Sequence, residues 1–190
     1  MTMYRDSAID PGRAIDWSRT SADYARHRPG PPDSFFVKLQ ALGVGLPGQR
    51  ILDLGTGTGV LAIAAAKIFR MPVLAIDIDP RSVAVARDNA RLNGVGSLVT
   101  VVQGAGLRAP DVVKRAPFDL VMANILLRPL QRLAAPVARQ LVPNARVVIS
   151  GVLAAQANAA LGAYRSQGLM LERSFVLDGW VTPIMVALSA

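Results

Sequence analysis

Three glycines alternate in residues 51–59, ILDLGTGTG, and an aspartate stands two residues ahead of the first. Glycine after a strand lets the backbone turn tightly and admits a ligand to a face that a Cβ would block. The helix that follows offers its N-terminal N–H groups to the same ligand. That chemistry is nucleotide-like, and the spacing narrows it. The dinucleotide fingerprint G-x-G-x-x-G, counted from Gly55 and Gly57, requires a third glycine where this chain has Val60. The pattern here is Asp53-x-Gly55-x-Gly57-x-Gly59 instead. Two further polar residues close apolar runs: Asp77, 22 residues after Gly55, and Asn124 at the end of FDLVMAN. An asparagine oxygen accepts a hydrogen bond from an amine and orients its lone pair. The single histidine, His27, lies between Arg26 and Arg28 and reads as a surface residue rather than a base. The chain has no cysteine, which excludes disulfides and thiolate metal sites, and no metal is expected.

These residues need a scaffold, and the apolar runs supply one. RILDL (50–54), PVLAI (72–76), LVTVV (98–102), FDLVMAN (118–124) and ARVVIS (145–150) are short and nearly continuous in apolar character, as strands covered on both faces should be. Segments of helical period lie between them at 60–69, 81–93 and 128–141. The alternation predicts a parallel sheet with helices on both faces. The second helix has marked ends: Asp79 caps it, Pro80 sits where a missing N–H costs nothing, and Asn93-Gly94 supplies the left-handed exit. After a helix near 154–167 the rhythm changes. LMLERSFVL and WVTPIMVAL, joined by Asp178-Gly179, predict a closing antiparallel pair, with Pro183 at an edge or an irregularity.

The D-x-G-x-G-x-G loop resembles that of class I S-adenosylmethionine-dependent methyltransferases. The resemblance implies a Rossmann-like α/β fold with a mostly parallel seven-stranded sheet and an antiparallel C-terminal hairpin. It also implies S-adenosylmethionine as cofactor, its methionine tail across the glycines and its ribose hydroxyls on Asp77. The cofactor contacts carried over are Asp53, Gly55, Thr56, Gly57, Gly59, Asp77, Ile78, Gly104 and Asn124, with Asn124 also in the catalytic role. Many methyltransferases of planar amines carry (D/N)-P-P-(Y/F) at that last position. Asn124-Ile125-Leu126-Leu127 keeps the amide and lacks the prolines and the ring. From Arg50 to about Leu188 the chain is similar to the catalytic domain of the PrmA family, bacterial methyltransferases of a ribosomal large-subunit stalk protein. AIDIDPRSVAVARDNARLNGV, the N-I-L of residues 124–126 and the D-G-W of 178–180 carry that likeness. It implies amino groups of a ribosomal protein as the acceptor.

Residues 1–48 differ in texture and are read as an N-terminal arm and a helix, from about Asp33 to Leu42, covering the site of a 49–190 domain. DWSRTSADYARHRPGPPDSFF resembles the arm of small-molecule methyltransferases of the ubiquinone-biosynthesis type, which implies that Tyr24 and Arg28 close over the cofactor and that a small molecule is the alternative acceptor. A cofactor-binding module that needs a partner chain to present substrate is a further alternative. The formal charge of +8 and pI near 11 come from 18 arginines and 3 lysines against 12 aspartates and 1 glutamate. They are scattered from Arg5 to Arg173, read as a solvated surface, and suit a partner that is acidic or bound to RNA. No basic stripe with interleaved aromatics marks RNA as the acceptor. No apolar run approaches the roughly 20 residues of a membrane span. The mixed-charge start reads as neither a signal nor a transit peptide, so the expected location is the cytoplasm.

Overall fold

The computed structural model describes residues 38–177 and 179–188. Strands β1 (Ile51–Leu54), β2 (Val73–Asp77), β3 (Val99–Gln103), β4 (Phe118–Asn124) and β5 (Leu141–Ser150) alternate with helices. These are α1 (Val60–Phe69), α2 (Pro80–Leu92), α3 (Pro110–Arg115) and α4 (Leu127–Ala138). A two-residue β6 (Val152–Leu153), α5 (Ala157–Arg165), β7 (Leu169–Leu177) and β8 (Trp180–Ala187) follow. The sheet runs β3-β2-β1-β4-β5-β8, with β7 on the far side of β8 and β6 beside its start. The first five strands pair in parallel, and β8 alone runs antiparallel to its neighbours β5 and β7. The expected closing pair is therefore present, but its second strand is inserted between β5 and the first. The two-residue β6 makes an eighth strand beyond the expected seven.

Alternation sorts each strand between two cores. Ile51, Val73, Ala75, Leu120 and Met122 face α1 and α2, while Leu52, Leu54, Leu74, Val121 and Ala123 face α3, α4 and α5. Burial on both faces explains the unbroken apolar runs. Asp53 shares parity with Ile51 and so points toward α1, a position that decides its role below. The order of strands reverses direction at β1 and β4, and ligands of open α/β sheets settle at the carboxyl edge of such a switch.

Local signals hold where they were strong. Asp79 caps α2 by accepting from the Arg81 and Ser82 N–H groups, Pro80 is its first residue, and Gly94 leaves it at φ 73. Between β3 and β4 the sequence reading placed no helix. The chain there forms a 3-10 turn at Gly106–Arg108 and then the six-residue α3, too short for a helical period to register. The pairing of β4 with β5 jumps from Phe118↔Leu141 to Leu120↔Arg146, so Pro143 and Asn144, at φ 62, loop out and the regular ladder starts near Ala145 as expected. Pro183 falls between the stretches of β8 that pair with β6 and with β5, and next to the register shift of β7, which is the irregular position its missing N–H requires. Of the N-terminal segment, residues 38–41 are helical, and Leu39 and Val44 are buried on the α1 face. Tyr24, Arg28 and the rest of the arm lie outside the described residues. Among the described residues no helix is long and apolar enough to cross a membrane.

Candidate functional site

The carboxyl ends of β1, β2, β3, β4 and β5 bring Gly55, Asp77, Gly104, Asn124 and Gly151 to one edge. All three loop glycines have positive φ, at 69, 56 and 85 for Gly55, Gly57 and Gly59, a region costly for any residue with a Cβ. Their surroundings differ. A Cβ on Gly55 would collide with the Ile125 side chain that follows β4. One on Gly59 would lie 3.2 Å from the Ala86 Cβ of α2, so that glycine serves helix packing. Gly57 alone faces open space. The loop thus owes one glycine to the neighbouring strand, one to α2 and one to whatever occupies the edge.

Asp77 joins the glycine loop to β2. Its Oδ2 accepts from the Gly57 N–H at 2.8 Å and its Oδ1 from the Asp79 N–H at 3.0 Å. A carboxylate oxygen has two lone pairs, so each retains one for a ligand hydroxyl. Ile78, next in sequence, is 70% exposed and presents an apolar surface beside it. Gly104 donates its N–H to the Asp77 carbonyl at 2.9 Å. A Cβ there would meet the Ala109 Cβ at 2.7 Å and the Ile76 Cδ1 at 3.0 Å, so close packing of β3 on its neighbours accounts for that glycine.

Asp53 is turned inward, 1% exposed, with its Oδ2 accepting from the Thr56 hydroxyl at 2.5 Å and the Ala62 N–H at 3.1 Å. It ties the loop to the first turns of α1. Burial pushes its carboxyl up to about 6, opposed by the Thr56 and Ala62 hydrogen bonds and assisted by the charge of Asp77. Its Oδ1 is buried and has no hydrogen-bond partner. An orphaned carboxylate oxygen beneath the glycine loop suits a cationic or N–H-bearing ligand group.

Asn124 ends β4 exposed, opposite Ser150 of β5. Its Oδ1 lies directly against Gly151, at φ 74, where a Cβ would collide with the amide oxygen. Leu126 is 77% exposed just beyond it, and β6 sets Leu153 opposite Trp180 on the same edge. Gly151 stood outside the expected site, and Ile125 entered it only as part of the N-I-L motif, without its contact to Gly55. The SGVL after β5 carried the signal for Gly151, since a glycine directly after a strand is where two backbones approach closely. Among the described residues no cluster of His, Cys, Asp or Glu forms a metal site.

The family described as Ribosomal protein L11 methyltransferase (PrmA) matches residues 38–187. A ribosomal protein L11 methyltransferase of Rhodopseudomonas palustris (strain BisB5) is 56% identical over 134 residues, 70% of this chain and 45% of that protein. The chain spans about half the length of the curated relatives it matches. Among solved structures, a ribosomal protein L11 methylase of Lactobacillus delbrueckii subsp. bulgaricus is similar at TM-score 0.71 and 26% identity, over 85% of this chain and 81% of that one. An RNA methyltransferase of Salinibacter ruber, solved in complex with S-adenosyl-L-homocysteine, shares the fold at TM-score 0.64 and 24% identity, over 86% of this chain and 95% of that one.

Proposed function

Because the chain belongs to the ribosomal protein L11 methyltransferase (PrmA) family, we propose that it transfers the methyl group of S-adenosylmethionine to an amino group of a ribosomal protein. The observation that carries this reading is the division of labour at one edge. Gly57 leaves open space beside Asp77, and Asn124 stands two strands away with its amide oxygen lying against Gly151. Adjacent strands are about 4.8 Å apart, so the ends of β2 and β4 are separated by about 10 Å, enough to lay a ribose at one and a reacting centre at the other.

In this reading Asp77 takes the ribose hydroxyls on its two remaining lone pairs, Ile78 and Gly104 flank the adenine, and Gly55, Thr56, Gly57 and Gly59 run beneath the methionine tail. Asp53 holds that loop to α1 and leaves its unpartnered Oδ1 as an acceptor for the tail's ammonium. The bound donor supplies an electrophilic methyl on a sulfonium. Asn124 accepts an N–H of the incoming amine, which aims the lone pair, and such orientation is worth several kcal/mol of barrier. An amine attacks only when neutral, and Leu126, Leu153 and Trp180 provide apolar surroundings that favour the neutral form. Ribosomal proteins as acceptors, together with the absence of cysteine, support the cytoplasm as its location.

The test is incubation with labelled S-adenosylmethionine and purified ribosomal protein L11, in parallel with a lysate. Label in the L11 band, lost on acid hydrolysis only as methylated amino acid, supports the proposal. Label confined to an organic extract replaces the acceptor with a small molecule. Donor binding with no transfer to either assigns the chain to a cofactor module that needs a partner.

A further inference from the structure

Charge is distributed unevenly along this chain. Residues 120–171 contain five arginines and no aspartate, glutamate or lysine. Arg146 is neutralised by Glu172 at 2.9 Å. Arg128, Arg132, Arg139 and Arg165 are exposed and make no ion pair among the described residues. What looked scattered in the sequence is gathered by helix geometry. Arg128 and Arg132 lie on α4 and Arg139, still in helical conformation, ends it; they are separated by four and seven residues, and at 100° per residue all three fall within about 40° of one line along the helix.

We infer that the outward face of α4 is a docking surface for the phosphate backbone of RNA. Along the axis the three guanidiniums recur at about 6 Å and about 10 Å. A guanidinium fork fits a phosphate bidentately. A hydrogen bond from Gln131 to the Ala159 carbonyl holds α5 alongside, so that Arg165 extends the positive field. The face favours nucleic acid over an acidic protein because it has no apolar anchor. The large exposed apolar side chains Leu126, Leu153 and Trp180 stand at the carboxyl edge, and none lies on the exposed turns of α4 or α5. Protein partners are held by buried aromatic and aliphatic anchors, whereas backbone contacts to nucleic acid are mainly electrostatic. Arg128 follows Asn124 by four residues, and a helix that returns between parallel strands runs back from the carboxyl edge. The stripe therefore starts beside the candidate site and leads away from it. RNA seated there holds whatever protein it carries next to that edge. The docking surface goes beyond the methyl-transfer reading and stands independently of it.

Fluorescence anisotropy with a short fluorescein-labelled single-stranded RNA tests this on the full chain, without donor. Arg128→Gln/Arg132→Gln/Arg139→Gln is compared with Arg70→Gln/Arg81→Gln/Arg91→Gln, which removes the same charge from the opposite layer. The α4 variant is expected to weaken binding at least about tenfold near 0.1 M salt, and to lower the slope of log K against log salt by about 2, the counterion release of three phosphate contacts. The other variant is expected to change affinity less than about threefold, and both should keep native circular dichroism. Equal losses in the two variants, or no measurable RNA binding by the parent, overturn the assignment. Displacement of the RNA by polyglutamate at equal charge concentration also overturns it, in favour of an acidic protein.

Discussion

Between β1 and β2 the carboxyl edge is closed by backbone. The Gly57 N–H meets Asp77, the Gly55 and Thr56 N–H groups meet the Ile76 carbonyl, and Asp53 pins Thr56 to α1. Between β4 and β5 the same edge is finished by side chains: Asn124 against Gly151, Leu126 exposed, Leu153 opposite Trp180. An edge built of internally bonded backbone and one carboxylate has a fixed shape and suits a ligand that never changes. A border of side chains is altered by substitution without moving the sheet. We propose that the first half holds the donor and that the second chooses the acceptor.

That contrast is open to breakage from either side. Gly57→Val fills the single open position of the loop and is expected to lower affinity for S-adenosylhomocysteine by at least about a hundredfold, with a stability loss of about 1–3 kcal/mol from a β-branched residue at φ 56. Calorimetry beside a thermal melt checks both. Asn124→Ala removes the acceptor for the amine and is expected to lower kcat about 10²-fold while leaving donor affinity within about threefold, a split read from single-turnover and binding measurements. Gly151→Ala pushes on the Asn124 amide and is expected to lower kcat about tenfold. Gly168→Ala is the control, since Gly168 has φ 83 and nothing within 4 Å, so it carries the backbone strain without the collision.

Asp53→Asn keeps the ties of the loop to α1 but removes the charge offered to the tail's ammonium, so it is expected to weaken donor binding about tenfold, and its separate signature is in pH. With a carboxyl raised from 3.8 to about 6, the folded chain holds more protons than the unfolded one between those values. Stability therefore falls as pH rises through that window and levels above it, by a total of about 3 kcal/mol. Asparagine keeps an acceptor for Thr56 and Ala62 but does not titrate. The variant should lose that decline, seen as a smaller gap between melting temperatures at pH 4 and pH 7. A parent whose stability rises monotonically from pH 4 to pH 7 in the same way as the variant would contradict the buried, protonatable Asp53.

Much of the β1–β2 edge was legible from sequence because most of its signals are local. The alternating glycines and the Asp79-Pro80 cap act within a few residues, Asp53 reaches only as far as Ala62, and Asp77 ends a strand whose apolar run marks its position, so that all of them meet at the β1–β2 edge. What the glycines are for was not legible. Ile125 and Ala86 meet Gly55 and Gly59 only after β4 and α2 have packed, so long-range contacts set two of the three roles. The insertion of β8 between β5 and β7 is likewise a choice of partner rather than of local conformation, and neither hairpin strand announces it. The α4 stripe was present as spacing within the helix expected at 128–141, but which side of that helix faces out, free of acids and of large apolar side chains, emerged only once Leu130, Ala134 and Val137 were seen to pack inward.

Calorimetric titration of S-adenosylhomocysteine into the parent chain, Asp77→Ala and Asn124→Ala tests the division of the edge most directly. The account predicts binding by the parent, binding by Asn124→Ala with little change, and a loss of at least about a hundredfold in Asp77→Ala, where both the ribose acceptor and the anchor of the Gly57 N–H are gone. Unchanged affinity in a folded Asp77→Ala chain, or an equal loss in both variants, would contradict it.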